Sequence, residues 1–162
     1  MTRTLPPRRG QWSALLVALL ALLAVPTASA RTSDSARLQM AWPADGTLTA
    51  RFGEWRGGHR HLGIDIGMLR TPRLRSVAEG VVRETGYVGG YAGYGQIVVL
   101  DLPGRYTALY AHLSRVGVRP GQRVRRGQTL GRAGCTGSCS GTHLHFEVLR
   151  GGESLNPLRF LG

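Results

Sequence analysis

Five histidines occur in this chain, and four of them, His61, His112, His143 and His145, sit in segments whose spacing could serve chemistry. Across Thr142–Val148 apolar and polar residues alternate strictly, the period of a half-buried strand. Leu144, Phe146 and Val148 would face a core, and His143, His145 and Glu147 would share the other face. Two imidazoles about 7 Å apart on one strand face can address one metal ion or one substrate. The segment His61–Ile66 repeats the pattern. Leu62, Ile64 and Ile66 would point one way and His61 and Asp65 the other, with Gly63 leaving room between them for an ion. Thr107–Leu113 would place His112 on a strand face with Ala108 and Tyr110. His59, in the loop Gly57-Gly58-His59-Arg60, has no such patterning and reads as a surface residue.

Each pattern alone has an ordinary explanation as a solvated or half-buried histidine. Together they offer His61, Asp65 and His145 as a three-ligand set, with His143 and His112 left over. A catalytic zinc site keeps three protein ligands and one open position. Two neutral imidazoles and a carboxylate suit Zn²⁺, one ion per chain. The spare histidines would then have work as proton acceptors or donors.

The elements that must position these residues read as strands. From Trp42 onward the chain consists of short apolar runs punctuated by glycine, at 47–52, 62–66, 74–85, 95–101, 105–113, 128–132 and 143–149. With 24 glycines and 8 prolines and no sustained 3.6-residue period, helices are disfavoured. Many short strands with turns such as Asp101-Leu102-Pro103-Gly104 predict an all-β, sandwich-like or barrel-like domain.

Residues 1–30 read as a secretory signal peptide: Arg3, Arg8 and Arg9, the apolar run Trp12–Val25, then Ala28-Ser29-Ala30 as a cleavage site. An uncleaved anchor is the alternative, and the context of Arg8-Arg9 fits a twin-arginine signal poorly. Residues 31–41 read as a short linker and 42–162 as one domain, enough for a modest core. The chain would then work outside the cytoplasm, secreted or in the periplasm and envelope. The formal charge is +12; the leader removes three arginines and no acid, and every basic residue is arginine. Guanidinium groups bind phosphate and carboxylate in forks, so an anionic partner such as an acidic envelope polymer is expected. Nucleic acid is not expected, because the chain is exported and carries no basic helix or nucleic-acid motif.

His61-Leu62-Gly63-Ile64-Asp65-Ile66, Tyr110-Ala111-His112-Leu113, Gly121–Gln128 and Gly141–Val148 resemble, in order, the successive motifs of the M23 peptidases. These are the lysostaphin- and LytM-like zinc endopeptidases of peptidoglycan. The resemblance runs from about Gly46 to Pro157. It implies a small antiparallel β-domain, a sandwich/barrel-like hybrid with a substrate groove. It further implies zinc on His61, Asp65 and His145, with His143 and His112 catalytic. In that scheme His143 would take a proton from water and His112 would donate to the developing oxyanion, roles that the sequence does not order. The expected substrate is the peptide of peptidoglycan, at a stem cross-link or a bridge. Some relatives have lost the site and activate other wall hydrolases, so a non-hydrolytic regulator is the alternative; a passive wall-binding module would leave the histidine pattern unexplained.

The chain departs from the family at Thr71–Ser76, where relatives usually read Gly-Thr-Pro-Val-x-Ala, and at Cys135 and Cys139. Two cysteines in an exported chain are expected to pair, with Gly137 permitting the tight turn; free thiols or a second metal site are the alternatives. Gly86–Gly95, with three tyrosines, reads as a mobile groove wall or as a plain surface hairpin.

Overall fold

The computed structural model describes residues 38–162, together with Met1. The expected signal peptide, residues 1–30, and most of the expected linker lie outside the described residues. Among the described residues, ten strands form one unclosed sheet in which every strand pair is antiparallel. They are β1 (Thr47–Ala50), β2 (Ile64–Gly67), β3 (Arg73–Arg75), β4 (Gly80–Gly86), β5 (Gln96–Leu102), β6 (Tyr106–Val116), β7 (Arg123–Val124), β8 (Thr129–Ala133), β9 (Leu144–Arg150) and β10 (Glu153–Leu155). The order across the main path is β1-β2-β9-β6-β5-β4-β7, with β10 on β9 and β3 joined through β8 to β6. The expectation of an all-β antiparallel domain holds.

Alternation places the main core. Ile64, Ile66, Leu144, Phe146 and Val148 are buried together with Val98, Leu100, Tyr110 and Leu113. Burying a side chain such as Phe146 contributes roughly 1.5–3 kcal/mol. Leu62 does not join them. It stands 45% exposed, because β2 begins only at Ile64 and the alternation does not extend back to it. Gly63 serves packing rather than ion space: a Cβ there would collide with the Phe146 carbonyl on β9.

Strands β5 and β6 are buried on both faces. Ile97, Val99, Leu109 and Ala111 form a second cluster, covered by Val88, Tyr91 and Tyr94. Gly86–Gly95 is therefore a lid on apolar surface, and of its tyrosines only Tyr87 is exposed.

The run expected over 74–85 breaks at Ser76–Glu79. There the Val77 amide donates to the Tyr110 hydroxyl (3.0 Å) and the Ser76 hydroxyl to the Ala78 carbonyl (2.6 Å), satisfying buried polar groups without a strand partner. β7 and β10 are two and three residues long, too short for a periodic signal. Packing begins before Trp42. Met40 is fully buried and pairs with Leu161.

Candidate metal centre and groove

Strand register brings the expected ligands together. β2 pairs with β9 so that Asp65 lies opposite His145, and residues opposite one another in an antiparallel pair share a face. His61 precedes β2, held where its amide donates to the Glu54 carbonyl (2.8 Å). Three side-chain atoms converge. His61 Nε2 is 3.1 Å from Asp65 Oδ1 and 3.0 Å from His145 Nδ1, and the last two are 2.8 Å apart. All three residues are buried.

The outer atoms of these rings define the chemistry inside. His61 Nδ1 lies 2.8 Å from the Arg51 carbonyl, and His145 Nε2 lies 2.9 Å from Glu147 Oε1. Those oxygens can only accept, so in the neutral rings the hydrogens sit on the outer nitrogens and the inner nitrogens are bare. Two bare nitrogens and a carboxylate oxygen within 3.1 Å repel one another unless a shared proton or a metal cation lies among them. Zinc bonds of about 2.0–2.2 Å put neighbouring donors of a tetrahedral site roughly 3.3–3.6 Å apart. The cluster needs to spread by less than about 1 Å per donor pair to reach that spacing, and the donor set fits zinc.

Partners behind the three candidate ligands fix their orientation. Glu147, buried on the same strand face as His145, accepts from the Tyr94 hydroxyl at 2.5 Å. This carboxylate–histidine pair sets the tautomer and aims the ring. Burial, reinforced by Glu147, pushes the Tyr94 phenol above its ordinary pKa, so it remains a donor. Arg56 holds Asp65 Oδ2 at 2.7 Å, leaving Oδ1 for the cluster. Burial works against the Asp65 charge, but bonds from His145, His61 and Arg56 outweigh it and keep the carboxyl far below the usual range. For His145 burial likewise opposes the charge, and Asp65 with Glu147 overcomes it, raising the ring's pKa. Glu147 was visible in sequence as the third polar residue on its face. Arg56 and Tyr94 sit in loops and gave no periodic sign.

His112 arrives by another route. On an unbroken strand it would share the core face of Ala108 and Tyr110, as expected from alternation. Instead β6 carries a bulge: Val98 pairs with Tyr110 and Gln96 with Leu113, so Ala111 and His112 together oppose Ile97. His112 has φ +61°, a left-handed conformation uncommon outside glycine but tolerated by His. The bulge turns its ring away from the core and into the groove. Beyond it β6 exchanges its β9 partner for β8. The ring's Nδ1 donates to the Thr136 carbonyl (2.8 Å), and burial pushes its pKa down.

His143, just before β9, donates from Nδ1 to the Gly141 carbonyl (2.7 Å), and its Nε2 is 4.0 Å from Asp65 Oδ1. The His112 and His143 ring centres are 4.7 Å apart. All five expected site residues therefore meet in one place. They line a groove of about 760 Å³ together with Arg56, Arg60, the Ala92–Tyr94 part of the tyrosine loop, Ser138, Ser140 and Thr142. His59 is exposed, as expected, but lines this groove too.

The Thr136 loop is tied at both ends, since Cys135 and Cys139 are joined, with Cα atoms 5.5 Å apart. Thr136 Oγ1 accepts from the Gln96 amide and donates to the Leu113 carbonyl. Gly137 (φ +74°) and Gly95 (φ +66°) let this loop and the tyrosine loop interlock; a Cβ on either would strike the other loop's backbone.

Residues 59–157 match the family model for peptidase family M23. The chain belongs to this family. Murein hydrolase activator NlpD of Salmonella dublin is 35% identical over 136 residues, covering 84% of this chain and 35% of that protein. Among solved structures, a zinc-containing peptidase from Vibrio cholerae superposes with a TM-score of 0.65 at 27% identity, covering 74% of this chain and 39% of its own. Lysostaphin, the antimicrobial peptidase of Staphylococcus simulans, superposes with a TM-score of 0.66 at 26% identity, over 76% and 52% respectively. The chain spans about a third of the length of the curated NlpD relatives it matches. The M23 fold is thus present as an unclosed antiparallel sheet with a groove.

Proposed function

We propose that this M23 chain is a zinc endopeptidase acting on the peptides of bacterial peptidoglycan, outside the cytoplasmic membrane. One zinc would be held by His61, Asp65 and His145. The observation that carries the reading is the complete set of groups: three converging bare acceptors and two further histidines on the same groove. When bound, the ion would supply a Lewis acid that polarises a carbonyl and acidifies water. The remaining work falls to the chain. His112 and His143 each commit Nδ1–H to a backbone carbonyl, which in the neutral rings leaves Nε2 free to accept a proton. Burial keeps His112 toward its neutral form, so the oxyanion-donor role expected for it requires that it first gain a proton. The two rings function as a pair, one taking a proton from water and the protonated one then donating to the substrate. The uncharged Ser138–Thr142 stretch that lines the groove offers hydroxyl and backbone partners to a peptide. The segment 1–30 supports export, and 42–162 forms the peptidase domain.

A second reading is favoured by the relatives named as murein hydrolase activators: a chain that stimulates another hydrolase. The test is release of soluble fragments from purified peptidoglycan by zinc-loaded protein alone, with His143→Ala beside it. Release by the wild type that falls in the variant supports the enzyme. No release from several wall types, with stimulation of a partner hydrolase by both proteins, supports the activator.

A further inference from the structure

Away from the groove, three arginines on neighbouring strands stand opposite one another. Arg73 on β3 pairs in register with Arg132 on β8, and Arg132 with Arg115 on β6. Directly opposed residues project from the same face, and neighbouring strands lie about 4.8 Å apart. The three side chains therefore rise as a row across the sheet. The exposed–buried–exposed pattern of β3 puts Arg75 on that face as well. All four are exposed.

Among the described residues, no carboxylate forms an ion pair with Arg73, Arg75, Arg115 or Arg132, whereas Arg56, Arg70 and Arg83 are paired. Asp45 lines the adjoining depression with Arg73, Arg75 and Trp42, but Arg70 engages it at 3.1 Å. Like charges directly opposite across strands destabilise a sheet, so the row costs stability in the free protein. Thr71 and Thr129 place hydroxyls in the shallow depression between the arginines. None of its lining residues lines the groove.

We propose that this row is a second binding site, for a linear polyanion carrying phosphate or carboxylate groups along its length. Guanidinium forks match both oxyanions. A line of charges one strand spacing apart suits a chain with repeated anions better than a single anion. Large apolar side chains that would enter a bilayer are missing from the row itself; Trp42, exposed, stands only at its margin. A lipid surface is accordingly the competing outcome.

The test uses the full chain, a row variant (Arg73→Gln, Arg115→Gln, Arg132→Gln) and a control of equal charge change in the turns (Arg119→Gln, Arg125→Gln, Arg126→Gln). Short-chain polyphosphate and oligogalacturonate are titrated by calorimetry, beside phosphatidylglycerol vesicles, and thermal unfolding is followed with and without each oligomer. The wild type should bind one or both oligomers and melt higher in their presence. The row variant should lose about tenfold or more in affinity, as expected for charge-assisted bonds, and melt no lower than wild type when free. The control should bind nearly as well as wild type. If the row variant does not fold, Arg132→Gln alone removes the centre of the row and serves instead. Equal loss in row variant and control, no binding of either oligomer, or binding to vesicles alone would overturn the proposal.

Discussion

The two walls of the groove are built on different principles. The metal wall is sheet: Asp65 and His145 face each other across a register fixed by Ile64, Ile66, Leu144 and Phe146 in the core beneath. The histidine wall, beside it on β6, depends on a bulge and a loop: His112 is turned into place by its left-handed conformation and steadied by the carbonyl of Thr136 inside a disulfide-closed turn. A register cannot slip by one residue without sending every core side chain to solvent. A loop can shift by fractions of an ångström at small cost. The metal wall should therefore fail all at once, and the histidine wall by degrees.

The largest effect belongs to the ligands. Asp65→Ala or His145→Ala leaves two donors, and each variant should lose nearly all its zinc and all measurable hydrolysis. Metal analysis of the purified variants beside wild type checks it; unchanged one-to-one zinc in both would remove the ligand assignment.

Next comes the histidine pair. His143→Ala should keep its zinc and fold, yet lose about 10²–10⁴-fold in turnover, the usual cost of a missing general base. His112→Ala should fall in the same range. The double variant should be little worse than either single one if the rings share one proton, because groups acting as a unit are not additive. Fully multiplicative losses would assign them separate steps.

Glu147→Gln probes the layer behind the metal wall. Gln still reaches His145 but no longer carries the charge that makes the ring a stronger donor. Zinc affinity should weaken by about 10–100-fold, read by competition with a chelator. An unchanged affinity would make Glu147 a packing residue only.

The same contrast explains what was legible beforehand. Period-two alternation exposed β2 and β9, and with them His61, Asp65, His143 and His145. The same rule misplaced His112, because no composition marks a bulge whose left-handed residue is histidine rather than glycine. It also extended β2 back to Leu62, and it ran one strand through Ser76–Glu79, where a Tyr110 hydroxyl replaces a strand partner. Arg56 and the Thr136 carbonyl reach the site from loops, where spacing carries no directional information.

The smallest expected effect tests the loop wall most directly. Cys135→Ser with Cys139→Ser opens the turn that carries Thr136 while leaving His61, Asp65, His145, His112 and His143 in the chain. Closing so short a loop stabilises by about 2 kcal/mol, so the melting temperature should fall by roughly 5–10 °C. Zinc content should not change, because Asp65 and His145 are held by the β2–β9 pairing and His61 by the Glu54 and Arg51 carbonyls, none of them by this turn. Turnover should drop a few-fold, well short of the about 10²-fold that a 1 Å misplacement can cost, since the Thr136 hydroxyl still bridges Gln96 and Leu113. Reductant should reproduce the effect in the wild type and have none on the variant. Zinc loss in the variant would show that the two walls are not independent. Full turnover with a lowered melting temperature would confine the disulfide to stability and leave His112 held by its bulge alone.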